Sequence, residues 1–221
     1  MEEKKEKHLL QNEFSFYFVK KATDRSQDDY ESRVKHICTF NTVEDFWGFY
    51  SHLVRPNDIQ GGGDYLLFRS GIKPLWEDKE NINGGKWILR LKKQLASRFF
   101  EDMILGLIGE QFEVEDKEIC GIALSVRQNE DILSIWNKTS QNNQTNNQIR
   151  QDIFKILSIP EHTIIEYKAH REALRDKSSF RNTSVAPISI KNDKFNRRQN
   201  NMKKSDTKSQ RNKPKETKQN N

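Results

Sequence analysis

Val34-Lys-His-Ile-Cys-Thr-Phe-Asn-Thr-Val-Glu-Asp-Phe-Trp-Gly-Phe-Tyr50 carries two kinds of order back to back. Its first part, Val34 to Phe40, is rich in β-branched and aromatic residues and reads as a strand. Thr42-Val-Glu-Asp45 then makes a capping-box-like start, and Val43, Phe46, Trp47, Tyr50, Leu53 and Val54 follow at helical spacing until Pro56. A strand therefore runs straight into an amphipathic helix. Working outward, further strands are expected over Phe14–Val19, Tyr65–Arg69, Lys86–Leu91, Ile119–Arg127, Ile132–Trp136 and Thr163–Tyr167. Asn83-Gly84-Gly85 is strong turn chemistry just before Lys86. A second helix is expected over Ser97–Ile108, closed by Gly109, and a third carries Ile149, Ile153, Ile156 and Leu157 and ends before Pro160. Three helices among seven strands are too few for a doubly wound sheet. They suit an α+β fold, an antiparallel sheet with helices on one face.

The chain has 221 residues, and its net charge of +6 is unevenly placed. From Arg181 onward twelve Lys and Arg face only Asp193, Asp206 and Glu216, so the first 180 residues hold 26 basic against 29 acidic side chains. The expected organisation is a flexible tail over 1–7, one domain over 8–180 and a disordered basic tail over 181–221, too polar to offset its ordering entropy. Asn137–Gln148, with eight Asn or Gln in twelve residues, reads as a loop expansion. Two cysteines, Cys38 and Cys120, supply neither a disulfide framework nor a four-ligand zinc site. No apolar run approaches the ~20 residues that span a bilayer, and the start lacks the apolar stretch of a secretory signal, so a cytoplasmic protein without membrane partners is expected. The three Asn-x-Ser/Thr triplets, at Asn137, Asn143 and Asn182, are chance matches on that reading.

No enzyme motif is present. Gly61-Gly-Gly63 lacks the Lys and Ser or Thr of a phosphate loop, and the five histidines show no ligand spacing, so neither catalysis nor a metal or cofactor is expected. What stands out is Gly71-Ile-Lys-Pro-Leu-Trp-Glu-Asp78. A loop Trp either folds back onto the core or offers a stacking face, and an adjacent carboxylate can accept from the N–H edge of guanine.

These residues, with Phe40–Trp47, Gly84-Gly-Lys-Trp87, Gly109-Glu110 and Cys120-Gly121, resemble the translation initiation factor 4E family, the messenger-RNA cap-binding proteins, over roughly His8 to Arg175. Tyr50–Pro56, Leu95–Arg98 and Ile132–Thr139 resemble its class II branch more than the standard factor. The resemblance implies a curved antiparallel sheet backed by three helices, with the cap on the concave face. It implies that Trp76 and Tyr30 sandwich the 7-methylguanine, with Tyr30 standing where the standard factor has Trp. By the same resemblance Glu77 accepts from the guanine edge, Arg127 and Lys86 meet the phosphates, and Trp136 approaches the methyl group; spacing alone makes Trp136 a core residue, and an ordinary surface lysine beside a turn competes with the phosphate role of Lys86. Asp78 is expected to be solvated. Further basic positions of the standard factor fall on Asn129 and Ile132, which implies fewer phosphate contacts.

The resemblance also implies a second surface, on the convex face, for helices bearing a Tyr-x-x-x-x-Leu-hydrophobic motif. His8, Val43, Trp47, Glu101 and Gly109 fall on it, with Leu9 replacing a Pro and Glu101 a Leu of the standard factor. Trp47 lies on the apolar stripe of the first helix, so a plain core role competes with that one. The function expected is cap binding by a class II translational repressor that competes with the standard factor. The alternatives are a genuine initiation factor recruiting the ribosome-linked scaffold, and an interaction scaffold with little cap affinity.

Overall fold

Strand periodicity sends alternate residues to opposite faces, and here both faces carry buried apolar residues. In the computed structural model, which describes residues 7–21, 30–179 and 181–185, Tyr65 and Leu67 join one apolar cluster while Leu66 and Phe68 join another. The elements are β1 (Leu9–Lys20), α1 (Tyr30–Arg33), β2 (Val34–Thr42), α2 (Val43–Tyr50), a 3-10 turn (Pro56–Asp58), β3 (Gly63–Arg69), β4 (Gly85–Leu91), α3 (Ala96–Ile108), β5 (Ile119–Val126), β6 (Asp131–Asn137), α4 (Asn143–Leu157), β7 (Glu166–Ala169), α5 (His170–Asp176) and β8 (Ser184–Val185). The strands form one antiparallel sheet in the order β2-β1-β3-β5-β6-β4-β7-β8. This is the α+β architecture that the sequence implies.

The larger cluster lies between the sheet and the three longest helices. Phe46 and Tyr50 of α2, Phe100, Met103, Ile104 and Leu107 of α3, and Ile149, Ile153 and Leu157 of α4 pack there with Phe14, Phe16, Leu67, Trp87, Ile122 and Leu133. Trp87 is a core residue, its ring 5.0 Å from Tyr167. Thr42 caps α2 by accepting from Asp45 N at 3.1 Å, and its hydroxyl donates to the Asp45 carboxylate, so cap and Asp45 are tied side chain to side chain rather than by the carboxylate reaching back to the Thr42 N–H.

Five details differ from the sequence reading. Helix α2 stops at Tyr50, four residues short of Val54, because the chain tightens into i→i−3 bonds from His52 and Leu53. The Asn/Gln tract is not an expanded loop: Asn142 caps α4, accepting from Gln144 N and Thr145 N, and buried Asn146 donates to Ser140 O. The last expected strand begins at Glu166 rather than Thr163, since Thr163 N closes a turn on Pro160 O. Among the described residues five helices are present rather than three, the additional ones being α1 and α5, of four and seven residues. The sheet also runs to Val185, past the expected boundary at 180, because β8 pairs with β7. Residues 186–221 lie outside the described residues, and with them most of the basic tail expected over 181–221.

Candidate functional site

On the face opposite the three long helices, cross-strand register lines up one row: Thr39, Ser15, Phe68, Gly121, Trp136, Lys86 and Lys168. Each side chain in it is placed by its neighbours. The Phe68 ring lies over Gly121, where a Cβ would come within 2.5 Å of Phe68 Cγ, so no larger residue fits. Trp136 stands edge-on to Phe68 at 5.2 Å and is buried. Beside it the Lys86 ammonium lies over two indoles, 5.7 Å from the Trp136 centroid and 5.8 Å from that of Trp76. Lys86 is therefore not a surface lysine: it is 5% exposed and donates to Ser179 Oγ at 2.6 Å. Burial, and then the charge of Lys168, pull its pKa down to about 8. Lys168 is itself buried and paired with Asp176 at 2.7 Å.

Trp76 sits on the loop between β3 and β4, half-buried against the cluster of Leu66, Phe68, Ile72, Cys120 and Trp136. The loop is held from within. Fully buried Asn81 donates to Lys73 O and Leu75 O, both at 2.8 Å. Asp78 is not merely solvated, because its carboxylate accepts from Lys73 N and Glu80 N at 3.1 and 2.9 Å. That pinning leaves Glu77 exposed, with no hydrogen bond or ion pair among the described residues.

Tyr30 comes from α1, which is tied to the Trp76 loop by the Lys73–Glu31 ion pair at 2.8 Å. Burial, and then the negative charge of Asp64, push the Tyr30 phenol above its ordinary range, while Arg127 opposes the shift. Arg127 follows β5 and pairs with Asp64 at 2.7 Å. Tyr30, Asp64 and Arg127 thus lie near one another, and Asp64 also acts on Lys86, whose ammonium lies over Trp76 and Trp136. Asn129 is exposed and Ile132 half-buried, so neither adds a cation.

Sequence reasoning missed several residues here: Asp64, Asn81, Lys168, Ser179 and His170. The His170 ring is 4.3 Å from that of Trp136 and fully buried, and among the described residues neither ring nitrogen makes a well-formed hydrogen bond, the Gly85 backbone opposing its shift only weakly. Burial first, and Lys86 second, lower its pKa to about 3, so the ring is neutral. Strand pairing alone reveals Lys168, since β6, β4 and β7 are adjacent in the sheet without being consecutive in the chain, and the others come into view only through the folding of loops and α5 around that row.

The second group of candidates lies apart from this row, around α2 and α3. Trp47 is 43% exposed and Val43 37%, while Phe46 between them is fully buried; the stripe that made Trp47 a core candidate instead rests its edge on Phe46 at 4.8 Å. His8 is stapled to the start of α2: Val43 N donates to its carbonyl at 2.9 Å, and its ring and backbone N–H both meet the Glu44 carboxylate. Glu101 pairs with Arg55, and exposed Gly109 caps α3 by donating to Leu105 O. Leu9 is 77% exposed. Among the described residues no group of His, Cys, Asp and Glu could hold a metal ion, and no helix is long and apolar enough to cross a membrane.

Comparison with known proteins gives a consistent picture. The family model described as eukaryotic initiation factor 4E matches residues 9–185. The chain is 44% identical over 176 residues to eukaryotic translation initiation factor NCBP of Oryza sativa subsp. japonica, covering 80% of this chain and 77% of that one. It is 41% identical over 178 residues to eukaryotic translation initiation factor 4E-4 of Caenorhabditis elegans, covering 80% and 84%. Among solved structures it is similar to C. elegans eIF4E-3 in complex with the 4E-binding protein Mextli and a cap analog, with a TM-score of 0.72 at 35% identity, covering 77% of this chain and 96% of that one.

Proposed function

The chain belongs to the eukaryotic initiation factor 4E family, and from that premise we propose that it binds the 7-methylguanosine cap of messenger RNA as a class II translational repressor. The observation that carries the reading is Trp76, held half-exposed on a loop pinned by Asn81 and Asp78, with an unpaired carboxylate beside it. Methylation at N7 leaves the purine with a delocalised positive charge. Stacked between Trp76 and Tyr30, the base gains about 1–3 kcal/mol of stacking and a cation–π term of roughly 0.5–2 kcal/mol, largest over Trp. Tyr30 in place of a second Trp makes this sandwich weaker than a double-Trp one without changing its mode. Glu77 accepts the guanine N1–H and N2–H together, a charge-assisted pair that adenine cannot offer. The phosphates then face Arg127 and Lys86. Because Arg127 already pairs with Asp64, a phosphate competes with that carboxylate, and the salt dependence of binding is correspondingly shallow.

A repressor excludes the standard factor from a message while holding a partner of its own. The exposed Val43 and Trp47, beside the stapled His8, supply an apolar strip for a helical Tyr-x-x-x-x-Leu-hydrophobic motif. The Glu101–Arg55 ion pair places charge where the standard factor offers Leu, which disfavours the ribosome-linked scaffold. Such a protein binds and does no catalysis, and it works in the cytoplasm. Tryptophan fluorescence titration with 7-methyl-GTP and with GTP tests the cap assignment, and clearly tighter binding of the methylated ligand is expected. Equal affinity would refute it. Capture of a repressor-type helix but not the scaffold's helix separates repression from initiation.

A further inference from the structure

Lys86 is placed in a way that phosphate binding alone does not require. Its ammonium lies over both Trp76 and Trp136, and its direct acceptor is a neutral hydroxyl, Ser179 Oγ. The charged groups facing it are Lys168 on β7, which repels it although paired with Asp176, and Asp64 on β3, whose weaker attraction is shared with Arg127. A titratable ring nearby, His170 on α5, is neutral and has Lys86 as a cause of its shift. The protein's own cation thus takes up the attraction of two indole rings for positive charge. A methylated guanine needs the Trp76 ring for the same reason, and two cations over one ring repel.

We propose that Lys86, latched by Ser179, is an internal competitor for the cationic base, and that ligand entry is an exchange in which the base takes the indole faces while the displaced ammonium moves onto the phosphate chain. This rests on the cap-binding reading above and adds a rule of selection to it. GTP offers the displaced ammonium an anion but gives the rings no cation in return. 7-Methylguanosine supplies the cation but leaves the ammonium without an anion. Only a ligand with both a charged base and phosphates completes the exchange. The geometry makes Lys86 and Ser179 the residues that couple the two requirements.

Calorimetric titration of the full chain and of two variants, Lys86→Met and Ser179→Ala, with 7-methylguanosine and 7-methyl-GTP tests this. Lys86→Met should bind 7-methylguanosine about threefold or more tighter than wild type, because the competing cation is gone, while binding 7-methyl-GTP more weakly. A lysine that serves only the phosphates would leave the nucleoside affinity unchanged, and a merely structural one would lower it; either result overturns the proposal. The ratio of variant to wild-type nucleoside affinity, in which the ligand's own titration cancels, should fall towards one as pH rises through about 8; a flat ratio contradicts it. Should Lys86→Met fail to fold, Ser179→Ala decides: about two- to threefold tighter 7-methyl-GTP binding is expected on loss of one hydrogen bond, and unchanged or weaker binding overturns the exchange. Wild type that does not distinguish 7-methyl-GTP from GTP is a separate result, which removes the cap-binding reading itself.

Discussion

The two faces of one sheet are built to opposite rules. Beneath α2, α3 and α4, alternate strand residues meet helix side chains in a large apolar cluster. On the other face the cluster is small, and Lys86, Lys168 and His170 are buried around Trp136; among the described residues the Trp136 Nε1 and both His170 ring nitrogens make no well-formed hydrogen bond, whereas on the helix-bearing face only the Trp87 Nε1 of the apolar cluster is so placed. The burial of polar groups without full satisfaction is costly. The difference teaches that the helix-bearing face supplies stability and the open face tolerates strain in polar satisfaction in order to present aromatic rings and charges.

The sharpest break of that contrast is Phe100→Ala, on the stabilising side. Its side chain is buried against Tyr65, the ring centroids 6.1 Å apart, so its loss should cost about 3–5 kcal/mol in denaturant unfolding. Cap affinity of the folded fraction should be unchanged. On the open face, His170 binds a proton at 6.5 unfolded but only at about 3 folded. Between those values the unfolded chain holds more protons, so stability falls as pH falls from 6.5 towards 3, by on the order of a few kcal/mol. His170→Phe should flatten that slope in urea titrations at several pH values; an unaltered slope would remove His170 from the account. Tyr30→Trp enlarges the stacking face and should tighten 7-methyl-GTP binding by roughly two- to tenfold, measured by fluorescence. Truncation should have the smallest effect. Thr183 and Ser184 bond to β7, and Arg181 O accepts from Lys168, so a cut after Arg181 would reach into the sheet. Removal of residues 187–221 instead should leave cap-analogue affinity within about twofold, with any loss confined to the salt-dependent attraction of longer RNA.

Much of the architecture was legible because it rests on local periodicity. Thr42 marks the start of α2, and the spacing of Phe46 and Tyr50 gives its buried face. Helices α1 and α5 were not legible, since four and seven residues hardly complete a period. The Asn/Gln tract misled because composition suggested a loop, whereas a single Asn at a helix N-terminus satisfies two amides. Trp47 shows the limit of a stripe: it follows the helical spacing but lies at the stripe's edge, exposed. For the site, the resemblance named Trp76, Glu77 and Arg127, but the pairing that buries Lys86 between two tryptophans depends on strand order and could not be read from spacing. Asp64 and Asp78 likewise gained roles only from through-space partners.

Glu77 offers the most direct test. It is exposed and makes no hydrogen bond or ion pair among the described residues, so replacing it should cost the fold almost nothing and any change in binding reports recognition. Calorimetry of Glu77→Ala with 7-methyl-GTP should show affinity reduced by roughly tenfold to a hundredfold, the loss expected for hydrogen bonds to a charged acceptor, with unfolding unchanged. A Glu77→Ala protein that binds 7-methyl-GTP as tightly as wild type would contradict the account.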